Sequence, residues 1–168
     1  MIKQKCWSLL GLFFVLFCFS SCATMTLRNQ TLKYSVAVPK TWKPQANGTI
    51  LSENEDVLVR VRRLRTGAGL SSVVTSLRRS FEIEVFELST EFENWGKLKK
   101  KYPSWFFLCQ YKRGKPRRLV KLYKVVVNAG DYKYVLDFEF TKGSYSKYKK
   151  VFREILESLN FFFEKSQD

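Results

Sequence analysis

The stretch that most restricts the fold is SWFFLCQYKRGKPRRLVKLYKVVVNAGDYKYVLDFEFT, residues 104–141. Three runs rich in aromatic and β-branched residues are separated by Arg113-Gly114-Lys115-Pro116 and by Asn128-Ala129-Gly130-Asp131, both favourable turn chemistry. The pattern predicts a three-stranded antiparallel meander. In its last run Tyr132, Tyr134, Leu136, Phe138 and Phe140 alternate with Lys133, Val135, Asp137, Glu139 and Thr141, the period of a strand with one buried face. In the middle run Leu119, Tyr123, Val125 and Val127 occupy one parity and Val120, Leu122 and Val126 the other, so this strand is expected to be central and covered on both sides.

Ahead of the meander the signal is also of strands. Leu32, Tyr34, Val36 and Val38 alternate with polar or small residues until Pro39 stops the strand. TILSE and DVLVRVRRL predict two further strands, the second with Val57, Val59 and Val61 on one side and Arg60 and Arg62 on the other. After the glycines of TGAGLSS, the residues Val73, Val74, Leu77 and Phe81 fall on one helical stripe, with Ser71 or Ser72 as its cap. EIEVFELSTEFENW favours strand over helix. A final amphipathic helix places Tyr145, Tyr148, Phe152, Ile155 and Leu159 on one face, capped by Ser144 or Ser146. The fold class is therefore α+β, an antiparallel β-sheet with helices packed on its opposite faces.

The order of these elements resembles the PsbP-like family. The likeness rests on Tyr34-Ser35-Val36 through Pro39 and Trp42 near the start, and on Phe138, Tyr145, Phe152, Ile155 and the ESLNF of Glu157–Phe161 near the end. It spans residues 32–162 and implies an α/β sandwich that acts as an extrinsic binding protein of a larger assembly, with no shared catalytic set.

The first 24 residues, MIKQKCWSLLGLFFVLFCFSSCAT, carry Lys3 and Lys5 ahead of an apolar run from Trp7 to Phe19, the order of a signal peptide. The run is short against the roughly 20 apolar residues of a membrane-spanning helix. A buried helix and an uncleaved anchor are the alternatives. Phe19-Ser20-Ser21-Cys22 resembles the lipobox of bacterial lipoproteins, with Phe where Leu is usual, a relaxed form similar to that of spirochaete lipoproteins. This resemblance implies cleavage after residue 21 and a lipidated Cys22 that anchors the chain to a bacterial membrane. With Ala23 rather than Asp after it, the implied address is the cell envelope, with the outer membrane favoured. The expected organisation is a signal peptide over 1–21, a lipidated Cys22 with a tether over 22–31, a domain over 32–163 and a tail over 164–168. At ~3.5 Å per residue such a tether reaches about 30 Å. Cys6 and Cys18 leave with the leader, so Cys109 has no thiol partner in the domain and reads as a buried small hydrophobe.

The sequence holds no histidine, which excludes Ser-His, Cys-His and histidine-metal sites. Asp137 and Glu139, two apart on one strand face, are a possible carboxylate pair but read as solvated or ion-paired. Gly67-Ala68-Gly69 lacks the rest of a phosphate loop and reads as a turn. Neither a cofactor nor a metal is expected, nor is catalysis. The net charge of +15 points to anionic partners. Acids gather in Glu82–Glu93, whereas none interrupts the segment from Asn94 to Gly130. That segment supplies Lys97, Lys99, Lys100, Lys101, Lys112, Arg113, Lys115, Arg117 and Arg118 as candidate anion- or partner-binding residues. The plain alternative is solvated loops and lysines guarding a sheet edge. Anionic lipid, acidic glycan and acidic protein all fit such a patch, and the exported address argues against nucleic acid. The expected function is a noncatalytic, membrane-tethered envelope protein that binds through its basic surface. A structural subunit with an incidental basic face and a histidine-free hydrolase are the alternatives.

Overall fold

A computed structural model describes residues 23–141 and 145–162. The expected signal peptide, Cys22, Ser144 and the tail over 164–168 lie outside the described residues. Seven strands form one antiparallel sheet: β3 (Lys43–Pro44), β4 (Thr49–Leu51), β5 (Val57–Arg65), β6 (Phe86–Leu98), β7 (Tyr102–Arg113), β8 (Arg118–Ala129) and β9 (Tyr132–Phe140), in the spatial order β3-β4-β5-β9-β8-β7-β6. A second sheet joins β1 (Thr24–Asn29), β2 (Tyr34–Pro39) and β10 (Asn160–Phe161) in the order β1-β2-β10. Helix α1 (Leu70–Glu84) links β5 to β6, and α2 (Tyr145–Ser158) links β9 to β10. The predicted meander is β7-β8-β9, with β8 third from the β6 edge.

Strand periodicity divides the core between two faces. On one, Val57, Val59 and Val61 stand opposite Phe140, Phe138 and Leu136, cross-strand pairs of the kind that stabilise a sheet. Phe152, Ile155 and Leu156 of α2 close over them, together with Leu159 just after it and Tyr34, Val36 and Val38 of β2. On the other face Trp105, Phe107, Cys109, Tyr111, Leu122, Val126 and Val135 pack under Val73 and Val74 of α1. The two helices thus lie on opposite faces, as the double apolar parity of β8 requires. No described helix is long and apolar enough to cross a membrane.

Three expectations are corrected. Residues 24–29 are not a tether. They form β1, in register with β2 from Thr24 opposite Pro39 to Asn29 opposite Tyr34. Met25 and Leu27 pack on the core in alternation with exposed Thr24, Thr26 and Arg28, so a short polar-looking segment gains enough burial to be ordered. The helix α1 is not capped by Ser71 or Ser72, which lie inside it. Its N-cap is Gly69, with no side-chain cap, because the chain enters the helix two residues earlier than a cap at the first serine allows. Finally, β9 is buried on both faces, with Lys133 and Asp137 satisfied by partners: Lys133 Nζ donates to the carbonyl of Gly130 at 2.9 Å.

Candidate functional site

The candidate cations do not form one patch. Strand β7 separates the β6–β7 turn, which carries Lys99, Lys100 and Lys101, from the β7–β8 tip, which carries Lys115 and Arg117. Twelve residues at about 3.3 Å each place the two clusters some 35 Å apart, at opposite ends of the sheet. The single basic surface expected over residues 97–118 is therefore two, and they differ in electrostatics.

At the tip Lys112, Arg113 and Arg117 are ion-paired, through two carboxylates, Glu87 and Glu139. Lys112 Nζ lies 2.5 Å from Glu87 Oε2, and Arg117 Nη1 lies 3.9 Å from Glu87 Oε1. Arg113 pairs with Glu139 at 3.4 Å. Farther down β8, Lys121 meets Glu91 at 3.4 Å. Hydrogen bonding from Lys112 holds the Glu87 carboxyl below the usual carboxylate range. The acids of β6 are thus placed by strand pairing beside the bases of β7 and β8. Arg117 also covers the exposed ring of Phe86, its guanidinium carbon 4.4 Å from the ring centroid. Lys115 and Arg118 make no ion pair among the described residues.

At the opposite end, Leu98–Lys101 is a two-residue hairpin turn closed by Lys101 N–H donating to the Leu98 carbonyl at 3.1 Å. Lys99 and Lys100 both hold left-handed backbones, φ 52° and 56°, where hairpins ordinarily place Asn-Gly. Each costs about 1 kcal/mol relative to glycine. Lys99 Nζ is committed to the end of α2, donating to the Leu159 carbonyl at 3.1 Å and to Asn160 Oδ1 at 3.0 Å. Lys101 lies over the ring of Tyr102, 5.0 Å from its centroid.

Between this turn and α2 runs a groove of about 400 Å³. Leu98, Phe106, Tyr123 and Leu156 make its apolar floor, and Lys97, Lys100, Lys149 and Arg153 stand around it with Glu157 as the one carboxylate. None of those four cations forms an ion pair among the described residues. The rings of Tyr123 and Tyr145 stand side by side in the groove, their centroids 5.2 Å apart. Burial raises the phenol of each, so both stay neutral at physiological pH. Phe92 flanks them, its ring 6.0 Å from that of Tyr123 and 6.1 Å from that of Tyr145. Lys149 and Arg153 were not among the residues expected at a site, because only the packing of α2 beside the β6–β7 turn brings them to Lys97 and Lys100.

The two carboxylates that offered a possible acid–base pair are both engaged. Asp137, 4% exposed, has Lys124 Nζ 2.6 Å from Oδ1 and accepts from Arg62 Nη2 at 2.8 Å through Oδ2. Lys124 is itself 6% exposed, so removal of either partner strands a buried charge. Glu139 meets Arg60 at 3.8 Å as well as Arg113. Cys109 is fully buried, and burial pushes its thiol up to about 12, which leaves it unreactive. Among the described residues no three metal-ligating side chains come together.

No protein-family model matches the chain, and no curated protein matches it in sequence. Solved structures do match in fold. Cyanobacterial PsbP (CyanoP) from Synechocystis sp. PCC 6803 superposes with a TM-score of 0.62 at 10% identity, over 84% of this chain and 94% of that one. LpqN, involved in cell envelope biogenesis of Mycobacterium tuberculosis, gives 0.56 at 12% identity over 82% and 89%. A mutant of the protein Mog1 gives 0.56 at 8% identity over 83% and 96%. The α+β sandwich expected from the element order is thus the fold of PsbP-type proteins.

Proposed function

We propose that the protein is a noncatalytic lipoprotein of the bacterial cell envelope, anchored through Cys22, that binds an anionic component of the envelope through the cations around the α2 groove. One observation carries the reading: Lys97, Lys100, Lys149 and Arg153 surround an apolar floor without carboxylate partners, whereas Lys112, Arg113 and Arg117 at the tip are paired. Charges already matched within the fold contribute little to an external anion, and unmatched ones contribute ~1 kcal/mol each at an anionic membrane surface. The envelope address draws support from the leader and from the role in envelope biogenesis attributed to LpqN, which shares the fold. A noncatalytic role draws support from the engagement of Asp137 and Glu139 in ion pairs.

Anchorage at Cys22 has a geometric consequence. Ala23 is already held at the body, its carbonyl accepting from Lys40 N–H at 2.8 Å. A lipid on Cys22 therefore seats the domain directly on the bilayer instead of some 30 Å away. Sedimentation with phosphatidylglycerol vesicles at low salt tests the binding reading. The quadruple variant Lys97→Ser, Lys100→Ser, Lys149→Ser, Arg153→Ser, made in the unlipidated chain from residue 23, is expected to bind at least about tenfold more weakly than wild type. The tip variant Lys112→Ser, Arg113→Ser, Arg117→Ser is expected to bind nearly as wild type. The reverse ranking, or no dependence on salt, contradicts the proposal.

A further inference from the structure

The groove is more than a basic surface. A purely electrostatic contact with a phosphate or carboxylate needs cations alone, yet here the cations border a floor built from Leu98, Phe106, Tyr123 and Leu156. The lining joins five apolar or aromatic residues to six charged ones, and about 400 Å³ lies toward the lower end of the ~300–1,000 Å³ that small-molecule pockets occupy. That is room for one chain or ring system beside a charged head. Gly96 precedes this lining in β6, where a Cβ would sit 3.4 Å from Cε2 of Phe106, in contact with a ring of the floor. The mouth is set by Lys99 and Lys100 in left-handed backbones, a conformation that hairpins usually give to Asn or Gly and that here presents lysines beside the groove. Within it, the hydroxyls of Tyr123 and Tyr145 offer a neutral donor to a ligand oxygen near Arg153.

We propose that the groove between α2 and the β6–β7 turn binds a single-chain anionic amphiphile, its tail on the Leu98–Phe106–Leu156 floor and its phosphate or carboxylate head on Lys97, Lys100, Lys149 and Arg153. The inference rests on the anion-binding reading above and specifies its ligand class. Charge complementarity selects the head, since four cations without ion-pair partners face one carboxylate, Glu157. The apolar floor selects a tail.

Calorimetric titration of the chain from residue 23 with decyl phosphate below its micelle concentration, with inorganic phosphate and with decyl maltoside separates the two contributions. Decyl phosphate is expected to bind on the order of 100-fold more tightly than inorganic phosphate, because several methylenes leave water. Decyl maltoside is expected to bind at least tenfold more weakly than decyl phosphate. Gly96→Leu, which adds a side chain against the Phe106 ring, should reduce decyl phosphate binding at least tenfold. Should that variant fail to fold, Lys149→Ser with Arg153→Ser, at two exposed helix positions, is expected to cost tenfold or more with decyl phosphate and nothing with decyl maltoside. Equal binding of decyl phosphate and inorganic phosphate, or of decyl phosphate and an acidic decapeptide, overturns the amphiphile. Failure of the basic-face reading is separate, and shows instead as vesicle binding that is indifferent to the four cations.

Discussion

Glu87, Glu91 and Glu93 decide which cations remain available. Glu87 and Glu91 lie beside Lys112, Arg117 and Lys121, and Glu93 accepts from Arg78 of α1 at 2.6 Å and from Trp105 Nε1 at 2.9 Å. Both charge runs were visible in the sequence as an acidic segment followed by a basic one. Their cancellation follows only from the register that folds β6 back along β7, with Phe86 opposite Lys112 and Leu98 opposite Tyr102. Lys100 shows the converse case, a residue kept at a cost. Lys100→Gly removes a left-handed side chain from the turn and is expected to raise stability by up to about 1 kcal/mol in urea unfolding. The same substitution takes a cation from the groove, and weaker vesicle binding is expected from it. A variant that loses stability and binds unchanged would contradict this placement of Lys100.

At the scale of elements, strands and helices with strong periodicity were legible, and segments defined by long-range pairing were not. The stripe Val73, Val74, Leu77, Phe81 and the stripe Tyr145, Tyr148, Phe152, Ile155 both became core-facing helix surfaces. Strand β1 escaped notice because TMTLRN has only Met25 and Leu27 as apolar residues, and its order comes from a ladder with β2 rather than from its own pattern. The start of α1 was misplaced for a related reason: serine is the better cap in isolation, but the exit from β5 sets the entry at Gly69. That helix carries no acid in its first turn and no side-chain cap, and a Cβ at Gly69 meets nothing within 4 Å. Gly69→Asp is accordingly expected to stabilise the protein by about 0.5 kcal/mol, through the cap and the helix dipole, measured as a higher urea midpoint. A lower midpoint would show that the turn before α1 cannot accept a side chain.

For the whole molecule, the sandwich buries tyrosines on both faces, and this sets its alkaline limit. Burial raises the Tyr34 phenol to about 12, and the phenols of Tyr111 and Tyr123 are raised too. A folded-state value above the ordinary 10 means that the neutral form is favoured by folding. The corresponding stability is complete below pH 10 and is lost as the pH rises from 10 toward 12. Tyr34 alone accounts for about 3 kcal/mol by the end of that window. Thermal unfolding between pH 7 and 11.5 is expected to show a level midpoint up to about pH 9, a fall that begins there with the buried Cys109 thiol and steepens above pH 10 with the tyrosines; a midpoint that falls already between pH 7 and 8 would assign the loss to other groups.

The proposed role of the groove as the anion-binding end depends on a difference between the two ends of one sheet, and hydrogen exchange reads both at once. With the chain from residue 23 on phosphatidylglycerol vesicles, protection is expected to increase over residues 96–101 and 145–157 and to stay unchanged over 111–119. Protection confined to 111–119, with residues 96–101 exchanging as in solution, would contradict the assignment and return the binding surface to the hairpin tip.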